Sequence, residues 1–281
     1  MSLFDRISDC ARLKPERYIP FRVDGIDLGR VKVTAAEMLR PFDDVFDVSD
    51  SAVLMAQGLT NFDQRTQAMA RVLETFRAEG KVPGWRDEAY PVGTAFSQPP
   101  LFTMERAAVP LFGVKGYGVH VNGYVNDGQT LKMWIGRRSR TKPTGPGKLD
   151  QVVAGGQPAG ISIIDNLIKE CEEEAGIAAD LAAKSVPVGT ISYLTGRPEG
   201  LRDDVLFNYD LELPPGFEPF NKDGEVETFT LWPMDRVIET LERGDEFKFN
   251  SALVIIDFLV RRGIIGPDHP DYVEIVKGLH R

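Results

Sequence analysis

The stretch Gly155-Gly156-Gln157-Pro158-Ala159-Gly160-Ile161-Ser162-Ile163-Ile164-Asp165-Asn166-Leu167-Ile168-Lys169-Glu170-Cys171-Glu172-Glu173-Glu174-Ala175-Gly176-Ile177 decides how the rest of this chain is read. Ile163, Ile164, Leu167, Ile168 and Cys171 recur at helical spacing, which predicts an amphipathic helix over 162–175. Ser162 followed by Asp165 supplies a capping start, and Gly176 supplies a stop. On that helix Glu170, Glu173 and Glu174 stand at i, i+3 and i+4, so the three carboxylates share one face. Like charges at this spacing destabilise an isolated helix by about 0.2–0.5 kcal/mol per pair. A hard divalent cation offsets that repulsion, because Mg²⁺ takes oxygen ligands and bridges carboxylates to substrate phosphates. A solvated acidic face is the plainer alternative. The glycine-rich loop ahead of the carboxylates and Gly176 behind them favour the metal site.

The run resembles the signature of the Nudix hydrolases, G-x5-E-x7-R-E-U-x-E-E-x-G-U, where U is a bulky aliphatic residue. Gly155 falls on the first glycine, Glu170 on the glutamate of the central pair, and Glu173 and Glu174 on the double glutamate. Gly176 takes the late glycine and Ile177 the last aliphatic position. Three positions depart: Ile161 stands where the first glutamate belongs, Lys169 replaces the arginine, and Cys171 fills the aliphatic slot. Cysteine fits there as a small hydrophobe. Lysine keeps the charge but loses the bidentate fork that holds a carboxylate in one orientation. The resemblance implies an α/β/α sandwich with a mixed sheet, and Mg²⁺ or Mn²⁺ on Glu170, Glu173 and Glu174. In that reading Glu170 also activates the water, and Lys169 orients the carboxylates.

With 281 residues and 42% hydrophobic content, the chain is long enough for two parts with a sizeable core. The expected division is a smaller α+β module over residues 1–112 and the sandwich, with a C-terminal helix, over 113–281. A net charge of −9 argues against nucleic acid and against an anionic membrane surface as partners. No stretch has the length of a membrane span, and the start lacks the apolar core of a signal peptide. Cys10 and Cys171 form no framework and read as reduced thiols of a cytoplasmic protein. His120, His269 and His280 are too far apart for a zinc pattern.

In the first part, helices are predicted over 4–13 and 62–78, and a hairpin turns at Asp24-Gly25. Thr34 with Glu37 predicts a capping box for a helix through Leu39. A Pro- and aromatic-rich loop is expected over 85–100. Beyond it, strands are predicted over 114–125, 131–137, 186–194, 205–213 and 228–232, and helices over 234–242 and 251–261.

Arg137, Arg138, Arg140, Lys142 and Lys148 put five cations within residues 137–148, just before the glycine-rich loop. A solvated basic loop and a substrate-phosphate site are both open. Lys142 and Lys148, stiffened by Pro and Gly, are the expected phosphate ligands, with Arg138 and the Gly155-Gly156 backbone beside them; the alternative for Arg137 or Arg138 is the end of a strand. Downstream, Asp223-Gly224-Glu225-Val226-Glu227 precedes a strand. Many Nudix hydrolases return a glutamate from such a loop as ligand or base. Glu225 and Glu227 alternate, so only one need point inward; Glu227, nearer the strand, is the expected one.

The resemblance extends to Gly84-Trp85-Arg86-Asp87-Glu88, Ala154-Gly155-Gly156-Gln157-Pro158, Leu167 to Glu174, Asp203-Asp204-Val205-Leu206-Phe207 and Asp223 to Glu227. Together these resemble one branch of the family, found alone in bacteria and plants and fused to thiamine pyrophosphokinase in fungi. Its N-terminal extension is a domain of unassigned function. The branch implies a small-molecule diphosphate substrate, foremost thiamine diphosphate in oxidised forms, cleaved to the monophosphate. A nucleoside diphosphate sugar, or a non-catalytic diphosphate-binding module, are the alternatives. Trp85, Tyr90 and Phe96 are available to stack on a ring. Pairing of two chains as a homodimer is left open. The first part is expected to dock as one wall of the pocket, with a separate partner-binding domain as the alternative.

Overall fold

The computed structural model describes residues 2–13, 16–142 and 144–280. Pro143, part of the stiffened loop expected between Lys142 and Lys148, lies outside them.

Helix α1 (Leu3–Asp9) leads into the first sheet, made of β1 (Tyr18–Val23), β2 (Ile26–Lys32), β3 (Phe46–Val48) and β4 (Val53–Met55) in the order β2-β1-β4-β3. Asp24 and Gly25 both take positive φ, 51° and 79°, as a two-residue turn between right-twisted strands requires. The short helix α2 (Val33–Ala36) is preceded by Lys32 and has no side-chain cap, so the capping box expected at Thr34 does not form. Helix α3 (Phe62–Ala78) buries Met69, Val72, Leu73 and Phe76 completely. Each such side chain contributes about 1.5–3 kcal/mol by leaving water. They close a core with Phe21, Phe46, Phe102 and Phe112, whose rings meet edge to face. The stretch expected to be a plain loop instead contains β5 (Ala89–Val92), paired antiparallel with β6 (Phe102–Glu105). Its alternation of buried Tyr90 and Val92 is the signal, masked by the flanking prolines.

Helix α4 (Val109–Phe112) then hands the chain to the second sheet. This contains β7 (Lys115–Asn126), β8 (Leu131–Arg138), β9 (Leu149–Asp150), β10 (Val153–Gly156), β11 (Val186–Arg197), β12 (Gly200–Glu212) and β13 (Val226–Pro233). The main order is β11-β12-β7-β8-β13, with β10 on β7 and β9 on β8. β12 runs parallel to β7 and the other pairs are antiparallel, so the sheet is mixed as expected. β7 is buried almost continuously along its length because it is covered on both faces. On one face lie α5 (Ile163–Ala175) and α6 (Ala179–Ala182), where Leu167, Cys171 and Ala175 meet Val121, Val153 and Leu211. On the other lie α7 (Met234–Arg243), α8 (Phe249–Arg261) and α9 (Tyr272–Leu279), packed on Tyr124, Met133, Ile135 and Ile191.

One element crosses the expected boundary at residue 112. Leu3, Ile7 and Cys10 of the N-terminal helix belong to this second core. Arg6 Nε donates to the Leu241 carbonyl at 2.9 Å, and the Thr195 hydroxyl donates to the Asp9 and Arg12 carbonyls. The periodicity of residues 3–9 shows an apolar face but carries no record of what covers it.

Candidate active site

Helix α5 begins and ends where its sequence dictates. The Ser162 hydroxyl accepts from the Asp165 amide, and Gly176 closes the helix in the left-handed conformation. The loop ahead of it is tied by two amides. Gln157 Nε2 donates to the Ile161 carbonyl at 2.8 Å, and Asn166 Nδ2 donates to the Gly156 carbonyl at 2.8 Å. These bonds hold the loop that carries Ile161 in place of a glutamate.

Two of the three box glutamates face a cleft of about 920 Å³ that lies between the first sheet's module and the second sheet. Glu170 rests against Gly155, and Glu174, 5% exposed, accepts from the Ala154 amide at 2.8 Å. Burial pushes the Glu170 carboxyl up, and burial followed by the Glu170 charge pushes Glu174 up to about 7. A divalent cation fits these two oxygen donors, one half-buried and one buried, since it offsets both the desolvation cost and the mutual repulsion. Glu173 shares the helix face but turns outward, its side chain 48% exposed. Among the described residues no three Asp, Glu, His or Cys side chains converge as a ready ligand set. Lys169 spans the gap: its ammonium donates to Glu173 Oε2 at 2.7 Å and to Glu170 Oε1 at 3.3 Å. One ammonium thus bridges two carboxylates, where an arginine would grip one of them with its fork.

The expected phosphate ligands divide. Lys142 lines the cleft and is paired with Glu225; burial brings its ammonium down to about 8. Arg138 also lines it, although its guanidinium is committed to the buried Asp150 at 2.7 Å and to the Thr144 carbonyl. Lys148 is elsewhere, donating to Asp245 at 2.8 Å outside the cleft. Its partner is distant in sequence, so spacing gave no hint of it. Of the two downstream glutamates, Glu225 lines the cleft, while Glu227 accepts from the Arg140 amide at 3.2 Å and does not. The expected preference between them is therefore reversed. Val226 pairs with Arg138 and Thr228 with Arg137, so the register slips by one residue and Glu227 sits in the bulge. Simple alternation could not anticipate that slip.

Sequence reasoning missed several cleft residues. His120 and Lys248 lie in its floor beside Asp150, and Arg86 and Arg106 come from the N-terminal module. Burial brings Lys248 down to about 8 and His120 down to about 4. Nine Lys and Arg residues line the cleft against five carboxylates, in a chain of net charge −9. That inversion of charge marks a site for an anion. Of the three aromatic residues expected at a ring, Tyr90 lines the cleft. Trp85 instead stacks under Arg77, and Phe96 packs on Tyr117 and Phe207.

This chain is 45% identical to Nudix hydrolase 20, chloroplastic, of Arabidopsis thaliana, over 98% of its own length and 77% of the relative's. Nudix hydrolase 24, chloroplastic, of the same plant is 44% identical over 98% and 76%. The chain belongs to the Nudix hydrolase family. With the family comes its reaction class, hydrolysis of phosphoric anhydrides. An uncharacterized Saccharomyces cerevisiae protein, YJR142W, is 34% identical over 85% of this chain and 75% of the yeast protein. A family model described as a domain of unknown function (DUF4743) matches residues 2–116, which takes in α1 and the whole first sheet. Among the described residues no helix is long and apolar enough to cross a membrane.

Proposed function

We propose that this Nudix hydrolase cleaves the diphosphate of a small metabolite in a Mg²⁺- or Mn²⁺-dependent reaction, with oxidised forms of thiamine diphosphate preferred and the monophosphate released. The observation that carries the reading is the meeting, in one cleft, of the half-buried Glu170 and the buried Glu174 with the cations Lys142, Arg86 and Arg106. When bound, the metal supplies neutralisation of the phosphate oxygens and a more acidic water. Glu170 and Glu174 would hold it, with Glu173 on the same helix face as the third carboxylate. Glu170, whose proton affinity is raised by burial, accepts the proton from the attacking water. Lys169 keeps that carboxylate in one orientation. Lys142 moves from Glu225 to a phosphate oxygen as substrate enters, which frees Glu225 as the second base.

The preference for a thiamine-type substrate rests on the five segments that resemble one branch of the family, and on Tyr90, which offers a ring face in the cleft. The two buried free cysteines suit a reducing compartment, and we place the protein in the cytoplasm; its Arabidopsis relatives are chloroplastic by name.

Two measurements test the reading. Glu174→Gln is expected to lower kcat by at least about a hundredfold, since removing one such electrostatic partner costs several kcal/mol of transition-state stabilisation. Turnover within a few-fold of wild type would remove the metal assignment. Comparing kcat/KM for oxothiamine diphosphate, thiamine diphosphate and an ADP-sugar tests the substrate. A clear preference for the ADP-sugar overturns it, and tight binding of one compound without phosphate release from any points to a non-catalytic module.

A further inference from the structure

The loop Gly84-Trp85-Arg86-Asp87-Glu88 is built to a fixed shape that the chemistry above does not explain. Gly84 (φ 75°) and Asp87 (φ 57°) both adopt the left-handed conformation, which glycine enters freely and which Asp, among residues with a β-carbon, tolerates best. The group that ties the loop down is Glu105. Its buried carboxylate accepts from the amides of Arg86 at 2.9 Å, Glu88 at 3.1 Å and Ala107 at 3.0 Å. Asp87 in turn accepts from Trp85 Nε1 at 2.7 Å, and the Arg106 amide donates to the Glu88 carbonyl at 2.9 Å. The module is seated directly on the glycine-rich loop: a β-carbon at Gly156 would collide with Tyr90 Oη and Arg106 Cζ.

What this scaffold presents to the cleft is the side chain of Arg86. The other cations near the carboxylate pair have partners: Arg106 has Glu88, Arg138 has Asp150 and Lys142 has Glu225. Among the described residues the half-buried Arg86 guanidinium has no hydrogen-bond or ion-pair partner. Arg106 and Arg138 oppose its charge, with Glu88 the carboxylate in range, and Lys142 lies within electrostatic reach. A guanidinium fixed by its backbone, partly desolvated and facing like charges is unfavourable until an anion meets it. Its planar fork matches two phosphate oxygens.

We propose that Arg86 is a phosphate-binding residue that the N-terminal module contributes to the Nudix cleft, and that Glu105 is the positioning residue that holds it there. The ligand class, a diphosphate, rests on the reading given under Proposed function; the assignment of Arg86 does not require turnover. The test is calorimetric titration of the full chain with methylenediphosphonate in Mg²⁺, which resists hydrolysis. Arg86→Ala is expected to raise Kd roughly ten- to a hundredfold, the range lost with a charge-assisted hydrogen bond. Arg86→Lys should recover part of that loss, and Arg71→Ala, on the outer face of α3, should leave Kd unchanged. Arg86→Gln, neutral and of similar length, replaces the alanine variant if that melts early. Glu105→Gln should weaken binding in the wild-type background and add nothing to Arg86→Ala; a purely structural glutamate would weaken both.

A Kd within twofold of wild type for both neutral variants overturns the proposal, as does absence of diphosphonate binding by the wild type. Binding through Arg86 with no phosphate released from any diphosphate would instead overturn the enzymatic reading and leave this one standing.

Discussion

A β-carbon added at Gly155 would stand 2.3 Å from the carboxyl carbon of Glu170, so the glycine is the surface against which the glutamate rests. Glu170 is carried by helix α5 and held from the side by Lys169, so the direction left open to it is the cleft it lines. Gly155→Ala should therefore displace the carboxylate while β10 keeps its pairing with β7. The expected result is a fall in kcat of about a hundredfold, the scale on which a misplacement near 1 Å acts. Overpacking should cost about 1–3 kcal/mol of stability, measured by urea denaturation. Wild-type turnover in a folded Gly155→Ala protein would show that Glu170 does no work in that position.

Glu225 and Glu227 separate on the same logic. Glu225 lies in the cleft on Lys142, and Glu227 lies outside it on the Arg140 amide. Glu225→Gln is expected to reduce kcat/KM by tenfold or more, while Glu227→Gln stays within about twofold, the effect of an exposed polar contact. Steady-state kinetics on the two single variants decide it. The reverse order would restore the reading from strand alternation.

How far the sequence could be read depends on whether a feature is local. Helix α5, its Ser162 cap and its Gly176 stop are set within one segment, and they form as periodicity and capping rules require. The hairpin at Asp24-Gly25 follows from its turn residues in the same way, whereas the mixed sheet was implied by the family resemblance. Side-chain destinations were not legible. Lys148 reaches Asp245, and Ser251 donates to Asp150 across about a hundred residues of chain. Arg86 and Arg106 line the cleft from two loops that Glu105 joins, and no spacing rule encodes that. The three box glutamates share a helix face, yet burial draws Glu174 inward and leaves Glu173 in solvent. A shared face places the carbons of the helix; the neighbouring strands decide where the carboxylates point.

The floor of the cleft should set an acid limit on stability. His120 is 3% exposed and shares a hydrogen bond of 2.8 Å between its Nδ1 and Gln151 Oε1. Burial first, then the Lys248 charge, lower its proton affinity to about 4, while Asp150 and the Gln151 bond act the other way and Arg138 adds to the lowering. The unfolded chain binds a proton there near pH 6.5, before the folded protein does. Between those values the unfolded state holds more protons, so stability is full above about 6.5 and declines as pH falls toward 4. The loss from this group reaches on the order of 3 kcal/mol. His120→Asn, which can still donate to Gln151, should flatten that part of the pH–stability curve. An unchanged slope between pH 6.5 and 4 in the variant would assign the acid sensitivity to other groups.

The N-terminal helix makes a simple truncation a poor test of the module. A chain starting at Leu111 removes the cleft wall formed by Arg86, Tyr90 and Arg106, but it also removes Leu3, Ile7 and Cys10 from the second core. Insolubility of that fragment would follow from the bared apolar surface of α8 and α9 alone. The two contributions separate by point substitution. Ile7→Ala should destabilise the full chain by about 2–5 kcal/mol, as for a buried aliphatic side chain that leaves a cavity. It should leave the ratio of kcat/KM between substrates unchanged, because α1 lies on the face of the sheet opposite α5. Tyr90→Ala should do the opposite in kinetics: altered substrate preference, since its ring lines the cleft and its hydroxyl bears on Gly156. If Ile7→Ala shifts the preference as much as Tyr90→Ala does, the module acts on the site through the shared core and not as its wall.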